Sequence, residues 1–175
     1  MAQSLVSSIF HIVFGTKNRV AYLDDEISPE LYLYIAKILQ NHNCHSLRIG
    51  GMSDHIHIFC ALAKNITLSK IIEEVKTSSS KWVKTKDPKY KDFYWQAGYG
   101  AFSVSLSLKD QVYGYINNQK QHHQKMTYMD EFYELLKKHN LGTPRGGYQL
   151  EVQVLTGKQH LVRPVSSFEL MEVTT

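Results

Sequence analysis

Two histidines separated by one residue, His55 and His57, are the first candidates for chemistry in this chain. Side chains alternate faces along a β-strand, so these imidazoles would point the same way, about 6.5–7 Å apart. That separation lets both lean onto one metal ion, and the preceding Asp54 could hydrogen-bond one of them. Strands also carry histidines that are only structural, so both interpretations stay open at this point.

A second set of candidates lies along a predicted helix that contains Tyr115, Gln119 and the pair His122 and His123. At about 100° per residue, Tyr115, Gln119 and His122 fall within roughly 60° of one another, and His123 lies roughly 80° from Tyr115. The apolar residues of the helix mark this same stripe as the inward one. Polar groups buried there need partners, which fits either a functional cluster or a core tyrosine with a satisfied hydroxyl.

Together, the histidine pair and the tyrosine have the residue types needed to cleave a phosphodiester. A tyrosine hydroxyl, with a pKa of about 10, is a poor nucleophile until a cation or base favours its phenolate. A divalent metal held by two imidazoles and an amide oxygen would polarise the scissile phosphate. The resulting phosphotyrosine ester would keep the energy of the broken link. Imidazoles suit manganese or zinc better than magnesium, so the metal stays open.

The hydrophobic pattern predicts the elements that must position these residues. Strands are predicted at residues 5–14, 46–49, 55–62 and within 93–106, and helices at 28–42, 68–83, 109–123 and 127–142. Ser28, Thr67 and Thr127 are the predicted helix N-caps. This order is typical of an α+β, ferredoxin-like split βαβ fold. Such a fold has a four-stranded antiparallel sheet with helices on one face, here followed by C-terminal helices.

The composition excludes several classes of protein. Of the 175 residues 43% are hydrophobic, and the only cysteines are Cys44 and Cys60, which excludes a disordered chain and a disulfide scaffold. No apolar run is long enough to span a membrane and no export signal begins the chain, so we expect a cytoplasmic protein. The formal net charge of +4 is compatible with a nucleic-acid partner without requiring one.

Positive charge is concentrated between Lys64 and Lys91, where eight lysines stand against three acidic residues. This stretch is either a solvated helix face or a surface that attracts phosphates. Aromatic residues at its end could stack on unpaired bases: Tyr90, Phe93, Tyr94 and Trp95. The candidate contacts for a DNA backbone are Lys17, Arg19, Lys76, Lys81 and Lys84.

Several ordered motifs resemble one known family. They are residues 11–17 with Arg19, residues 52–57, Lys76 with the serines at 78–80, residues 95–99 with 102–103, and residues 115–119 with 122–123. The chain resembles the single-tyrosine HUH transposases of insertion sequences of the 200/605 type and their REP-associated relatives. Each motif alone is weak, but the ordered set spans about three quarters of the chain and is specific.

The resemblance implies a reaction and a set of site residues. His55 and His57 would be metal ligands, Gln119 the third ligand, and Tyr115 the nucleophile. Such enzymes use a divalent metal, Mg²⁺ or Mn²⁺, to cleave and rejoin single-stranded DNA next to hairpins through a 5′-phosphotyrosine. They act as homodimers in which sheets join and the tyrosine helix can complete the partner's site.

Domain boundaries and further candidate site residues complete the predictions. Residues 1–142 would form the catalytic domain and 143–175 a tail of unknown role, with a predicted strand at 148–155. His122, His123 and Asp54 are candidate auxiliary residues.

Two alternatives remain. One is a ferredoxin-like nucleic-acid-binding module without catalysis. The other is a zinc hydrolase that uses His55, His57, His122 and a water, which the absence of a nearby glutamate disfavours.

Overall fold

A four-stranded antiparallel sheet forms the centre of the computed structural model, which describes residues 6–124, 126–139 and 141. The strands are β1 (Ile9–Gly15), β2 (His45–Met52), β3 (His55–Ala61) and β4 (Gly100–Ser103), in the order β2-β3-β1-β4. The two long central strands, β1 and β3, therefore pair with each other, and the first helix joins strands that are not neighbours. This is the predicted split βαβ arrangement, and the α+β assignment is confirmed.

Within the described residues five α-helices accompany the sheet: α1 (Ile27–Asn41), α2 (Leu68–Lys84), α3 (Lys109–Asn117), α4 (Gln119–His122) and α5 (Tyr128–Lys138). The predicted helix at 109–123 is thus two helices, because the backbone at Asn118 leaves the helical region, with φ −100° and ψ 19°. Helix α5 ends at Lys138, four residues before the predicted end at Gly142.

The sheet has two different faces. On one face, Ile12, Phe14, Ile56 and Ile58 belong to the main hydrophobic core, together with the inner sides of α1 and α2. Alternation along the strands places His11, His55 and His57 on the opposite face. There the C-terminal helices cover them: Ile116 of α3 packs with Phe59, and Leu135 and Leu136 of α5 pack with Val13 and Phe102.

Two of the three predicted helix caps are present. The Thr67 hydroxyl accepts from the Lys70 backbone N–H, and Thr127 and Asp130 form a reciprocal capping box at the start of α5. Ser28 as the cap of α1 is wrong: the helix begins one residue earlier, and the Asp24 carboxylate accepts from the N–H groups of Glu26 and Ile27. The first N–H groups of a helix have no acceptor within the helix, and Asp24, four residues before Ser28, supplies the acceptor for two of them.

The predicted strand at 148–155 and the tail at 143–175 lie outside the described residues. Within the described part of the chain, the helices are too short or too polar to cross a lipid bilayer.

Candidate active site

Strand pairing fixes the positions of the two histidines. His55 lies opposite Gly15 of β1 and Met52 of β2, and His57 lies opposite Val13 and Gly50. Both side chains are fully buried. Because β3 is an inner strand with a neighbour on each side, its backbone is held on both edges, and the two imidazoles form a rigid pair.

A buried carboxylate from α5 meets this pair. The Glu131 side chain is 1% exposed; its Oε2 lies 3.4 Å from His55 Nε2 and its Oε1 lies 3.5 Å from His57 Nε2. One ligand atom from each of these three residues lies within 4.8 Å of the others, so the group could hold a metal ion. The sequence reasoning missed Glu131. The available signal was its spacing, since it precedes the inward-facing Leu135 by one helical turn.

The structure brings Tyr115 and Gln119 to the same carboxylate. The Tyr115 hydroxyl and the Gln119 side-chain amide both donate to Glu131 Oε1, the amide at 2.8 Å. The Tyr115 ring centroid lies 5.9 Å from that of His57 in the same chain. Helix α3 comes this close because Ile116 packs directly over Gly50 of β2, where a Cβ would come within 3.0 Å of Ile116.

Three buried polar atoms of the cluster make no well-aligned hydrogen bond among the described residues: His55 Nε2, His57 Nε2 and Gln119 Oε1. Both imidazole nitrogens nevertheless lie within ion-pair distance of Glu131. Unpaired buried polar atoms are costly and therefore rare. All three atom types are metal ligands, and each belongs to a residue that the sequence predicts to bind a metal. The donor set fits a divalent cation coordinated by imidazole nitrogen and oxygen.

Outer contacts orient each imidazole. His55 Nδ1 lies 2.8 Å from Asp54 Oδ1, and Arg19 forms an ion pair with the other oxygen of that carboxylate. The Arg19 guanidinium also stacks on the ring of Tyr128, with Cζ 3.5 Å from the centroid. Asp54, a candidate auxiliary residue, thus contacts His55 directly. Arg19, a predicted DNA contact, is engaged in supporting Asp54.

His57 is oriented by another histidine. Its Nδ1 lies 2.9 Å from Nε2 of His11, which is itself 2% exposed. Burial, with the neighbouring His57, lowers the pKa of His11 to about 3, so His11 is neutral and can accept a hydrogen bond. If His57 Nε2 faces a cation, His57 Nδ1 carries the proton and donates it to His11.

Glu131 controls the charge of the cluster. Burial alone would raise the pKa of Glu131, but the two imidazoles and the Tyr115 hydroxyl hold it far below its usual range, so the carboxylate is ionised. Burial would lower the pKa of His55, yet Asp54 and Glu131 raise it. The pKa of the fully enclosed His57 is lowered by burial. Burial and the hydrogen bond to Glu131 raise the pKa of Tyr115, which keeps it a phenol.

The two neighbouring histidines have different surroundings. His123 Nε2 lies 3.0 Å from Glu131 Oε2, and its ring packs against His55 at 4.7 Å between centroids. His122 instead packs edge-on against the Tyr115 ring at 5.1 Å. Among the described residues, the group that could hold a metal does not include His122, so the ligand set of the zinc hydrolase alternative is not assembled.

The predicted DNA-binding stretch has only one exposed aromatic residue. Tyr94 is 51% exposed, whereas Tyr90, Phe93 and Trp95 are buried in the core, so of the four aromatic residues that could stack on bases only Tyr94 has an exposed ring. Lys76 is half-buried, and its ammonium donates to the backbone carbonyls of Gln96 and Gly98. Lys17, Lys81 and Lys84 have no carboxylate partner within the described ranges.

Two solved structures share the fold. One, from Deinococcus radiodurans R1 and given the provisional description of transposase, matches with a TM-score of 0.54 and 20% identity over 68% of this chain and 98% of its own. The other, described as a REP-associated tyrosine transposase bound to a REP hairpin, matches with a TM-score of 0.55 and 12% identity over 93% and 98%.

At the level of sequence, no curated protein matches this chain. A family model does: that of the IS200-like transposases matches residues 4–119, which is more than half of the chain and contains β1 to α3 with His55, His57, Tyr115 and Gln119. The chain therefore belongs to the IS200-like transposase family.

Proposed function

We propose that this protein cleaves and rejoins single-stranded DNA at hairpin-marked ends, with Tyr115 as the nucleophile and a divalent metal as the cofactor. One observation carries the proposal. A phenol, an amide and two imidazoles from three separate elements converge on one buried position, where three potential ligand atoms make no well-aligned hydrogen bond among the described residues. Of the eight buried polar residues in the described part of the chain, five lie in this cluster when His11 is included, and such a concentration favours a functional site.

The reaction is a transesterification. The Tyr115 oxygen, after losing its proton to a base, attacks the scissile phosphorus and forms a new P–O bond. The bond between phosphorus and the 3′ oxygen breaks, and that oxygen takes up a proton to become a free 3′-hydroxyl. The 5′ end stays on Tyr115 as a phosphodiester, so the reverse attack by a 3′-hydroxyl rejoins a strand without ATP.

His55 and His57 would hold the metal through Nε2, with Gln119 Oε1 and Glu131 available for further positions. A bound divalent cation supplies charge stabilisation at the phosphate and favours the phenolate. Of the two expected ions, Mn²⁺ suits mixed nitrogen and oxygen ligands better than Mg²⁺. Asp54 and His11 keep the imidazoles aimed at the cation.

The expected partners are DNA hairpins and a second copy of the chain. A hairpin substrate is in keeping with the REP-associated relative, which was solved with a REP hairpin. Within one chain the Tyr115 ring centroid lies 5.9 Å from that of His57, which supports a site whose tyrosine and imidazoles come from the same subunit. The two buried thiols, Cys44 and Cys60, are free, as expected for a protein that acts in the reducing cytoplasm.

The test is incubation of the protein and Mn²⁺ with labelled single strands that carry candidate hairpin ends, followed by a denaturing gel. The wild type should give a covalent protein–DNA band that chelation abolishes. Tyr115→Phe should lose the band and keep hairpin binding, since only one oxygen is removed. His57→Ala should lose the band because the metal is lost. Cleavage by Tyr115→Phe at the wild-type rate would rule out this nucleophile.

A DNA-binding module without catalysis is the second candidate. It is favoured by the hydrogen bond from Tyr115 to Glu131. Burial and this bond to an anion raise the pKa of the Tyr115 phenol and so keep it protonated and a poor nucleophile. This candidate predicts hairpin binding that needs neither metal nor Tyr115, and no covalent band under any condition.

A further inference from the structure

We propose that an open groove between α2 and residues 94–99 binds unpaired bases of the single-stranded DNA, with the rings of Tyr94 and Tyr99 as stacking surfaces. This inference rests on the proposed function, since it extends the path of the same strand beyond the active site. The groove has a volume of about 480 Å³. That is within the roughly 300–1,000 Å³ common for ligand sites.

The two tyrosines are exposed, whereas Phe93 and Trp95 on either side of Tyr94 are buried. Tyr94 and Tyr99 are 51% and 43% exposed and both line the groove, whereas Trp95 between them is 8% exposed and donates from Nε1 to the Ser79 hydroxyl. The buried indole anchors the segment to α2. An exposed aromatic on an anchored segment loses little conformational entropy when a base stacks on it.

A lysine beneath the groove holds the loop in shape. Lys76 of α2 donates to the carbonyls of Gln96, at 2.9 Å, and Gly98. Its ammonium also lies 4.7 Å from the centre of the Phe14 ring and 5.9 Å from that of Tyr99. Lys76 is therefore a structural cation of the groove floor. Tyr99 is presented by a preformed turn, in which Gly98 has a φ of +78°.

Two other lysines supply positive charge at the rim. The ammonium of Lys84 lies 3.3 Å from the Tyr94 ring centroid, and that of Lys17 lies 5.6 Å from it. Three other lysines of this region pair with carboxylates: Lys70 with Glu73 and Glu74, Lys86 with Glu30, and Lys89 with Asp24 and Glu26. Within the described residues Lys17 and Lys84 have no such partner, so phosphates would meet little competition for them.

Backbone hydrogen bonds attach residues 94–96 to the end of β1, the strand that pairs with β3. The Gln96 N–H donates to the Gly15 carbonyl at 2.8 Å, and Gly15 is the cross-strand partner of His55. The Lys17 N–H donates to the Tyr94 carbonyl at 2.7 Å. The segment therefore lies two strand spacings, about 10 Å, from the strand that carries His55. Because α2 and the histidines lie on opposite faces of the sheet, a single strand would have to pass around the end of β1 at Lys17 to reach them.

The chemistry selects an unpaired base over other occupants. The Lys84 ammonium lies over the Tyr94 ring, so a base that stacks on that face would displace the ammonium from the ring towards the adjoining phosphate. A stacking ring next to a lysine is the combination used for single strands. Bases inside a duplex are already stacked on each other and offer no free face. The groove is thus expected to take the single-stranded nucleotides that flank a hairpin and not the hairpin stem.

The test uses the full chain in a metal-free buffer containing chelator, so that no cleavage occurs. Oligo(dT) strands of increasing length, each with one 2-aminopurine, report stacking as quenched fluorescence and binding as anisotropy. Tyr99→Ala and Tyr94→Ala should each weaken binding by roughly 5- to 150-fold, the range for one lost base stack, and relieve the quenching. Tyr99→Phe keeps the ring and should bind as the wild type does.

Tyr133→Ala is the matched control, because Tyr133 is 49% exposed but lies on α5, away from the groove. It should leave both signals unchanged, and all variants should melt at the wild-type temperature. Any of three results would overturn the inference: unchanged binding by Tyr99→Ala and Tyr94→Ala, an equal loss of binding in Tyr133→Ala, or a wild type that does not bind oligo(dT).

The covalent-band assay, run in parallel on the same variants, separates the two proposals. A Tyr115-dependent band together with unaffected strand binding by Tyr99→Ala and Tyr94→Ala refutes the groove alone. Tyr99-dependent stacking in a protein that never forms the band supports the groove and refutes the strand-transfer reaction.

Discussion

At the scale of single residues, Glu131 is the centre of the site. Its two carboxylate oxygens reach both imidazoles of β3, the Tyr115 hydroxyl, the Gln119 amide and His123. A buried carboxylate is tolerated only with such a full set of partners. Glu131 thus places next to the two imidazoles the glutamate that the zinc hydrolase alternative lacked, although His122 stays outside the ligand group.

The contact between His11 and His57 leads to a prediction for metal affinity. When His57 binds the ion through Nε2, its Nδ1 would donate to His11, so His11→Ala should lower Mn²⁺ affinity by about 10- to 100-fold, as for other outer contacts of metal ligands. Isothermal titration calorimetry measures this directly. His45→Ala, an exposed histidine of β2, is the control and should bind Mn²⁺ as the wild type does. Equal affinities for all three proteins would remove His11 from the site.

At the scale of elements, the close approach of α3 to β2 positions the nucleophile. A Cβ on Gly50 would come within 3.0 Å of both the side chain and the carbonyl of Ile116, the residue after Tyr115. Glycine at this position is thus needed for space. The sequence pattern shows a Gly50-Gly51 pair at the end of a strand, which reads equally well as a turn, so its packing role becomes visible only when α3 is placed.

Two glycine substitutions test this packing. Gly50→Ala should reduce the free energy of unfolding by about 1–3 kcal/mol, since α3 or β2 has to shift. Gly114→Ala, one residue before Tyr115, meets nothing within 4 Å and should be neutral or stabilising by up to about 1 kcal/mol. Urea denaturation measures both. A Gly50→Ala protein as stable as Gly114→Ala would contradict the close-packing account.

The Asp24 carboxylate at the start of α1 should make the free energy of unfolding depend on pH, in a direction that its pKa determines. Slight burial would raise the pKa of Asp24, but the Ile27 N–H, Lys89 and Tyr90 outweigh it and lower the pKa to about 2. A depressed pKa stabilises the fold above the unfolded value of 3.8, and that stability is lost as pH falls towards 2.

Asp24→Ala should therefore destabilise the protein by about 0.5–2 kcal/mol at neutral pH. Denaturant titrations should show the difference from the wild type shrinking between pH 4 and pH 2. Asp24→Asn keeps a capping oxygen and loses the charge, so its cost should be smaller and nearly independent of pH. A wild-type advantage that grows on acidification would show that the sign is wrong.

Helices and strands could be predicted from the sequence where a single residue pattern marks them. Alternating apolar residues identified the strands that carry His55 and His57, and the Thr127 and Asp130 pair identified the start of α5. The break at Asn118 was not predictable, because it serves the docking of α4 against β2 and the sequence there reads as a continuous helix. Glu131 was not predicted either, because the role of a buried carboxylate depends on its partners, and those of Glu131 come from other elements.

At the scale of the whole molecule, the site joins parts that are far apart in sequence. The hairpin of β2 and β3, the α3–α4 pair and α5 each contribute polar groups, and α5 lies beyond the region matched by the family model. Metal binding should therefore be linked to global stability, because the ligands come together only in the folded chain.

A thermal melt tests this linkage. Mn²⁺ at a concentration 100 times its Kd should add about 2.7 kcal/mol of stability, or a Tm increase of roughly 5–10 °C for a chain of this size. His57→Ala should show little or no increase in Tm on addition of Mn²⁺. An equal increase in both proteins would mean that the ion binds elsewhere.

The most direct test of the central claim is to locate the covalent link. After reaction with a hairpin-bearing single strand and Mn²⁺, the protein is digested with nuclease and protease, and its peptides are analysed by mass spectrometry. The account predicts a nucleotide attached through a 5′-phosphate to Tyr115. Attachment to another residue, or cleaved DNA with no modified peptide, would contradict it.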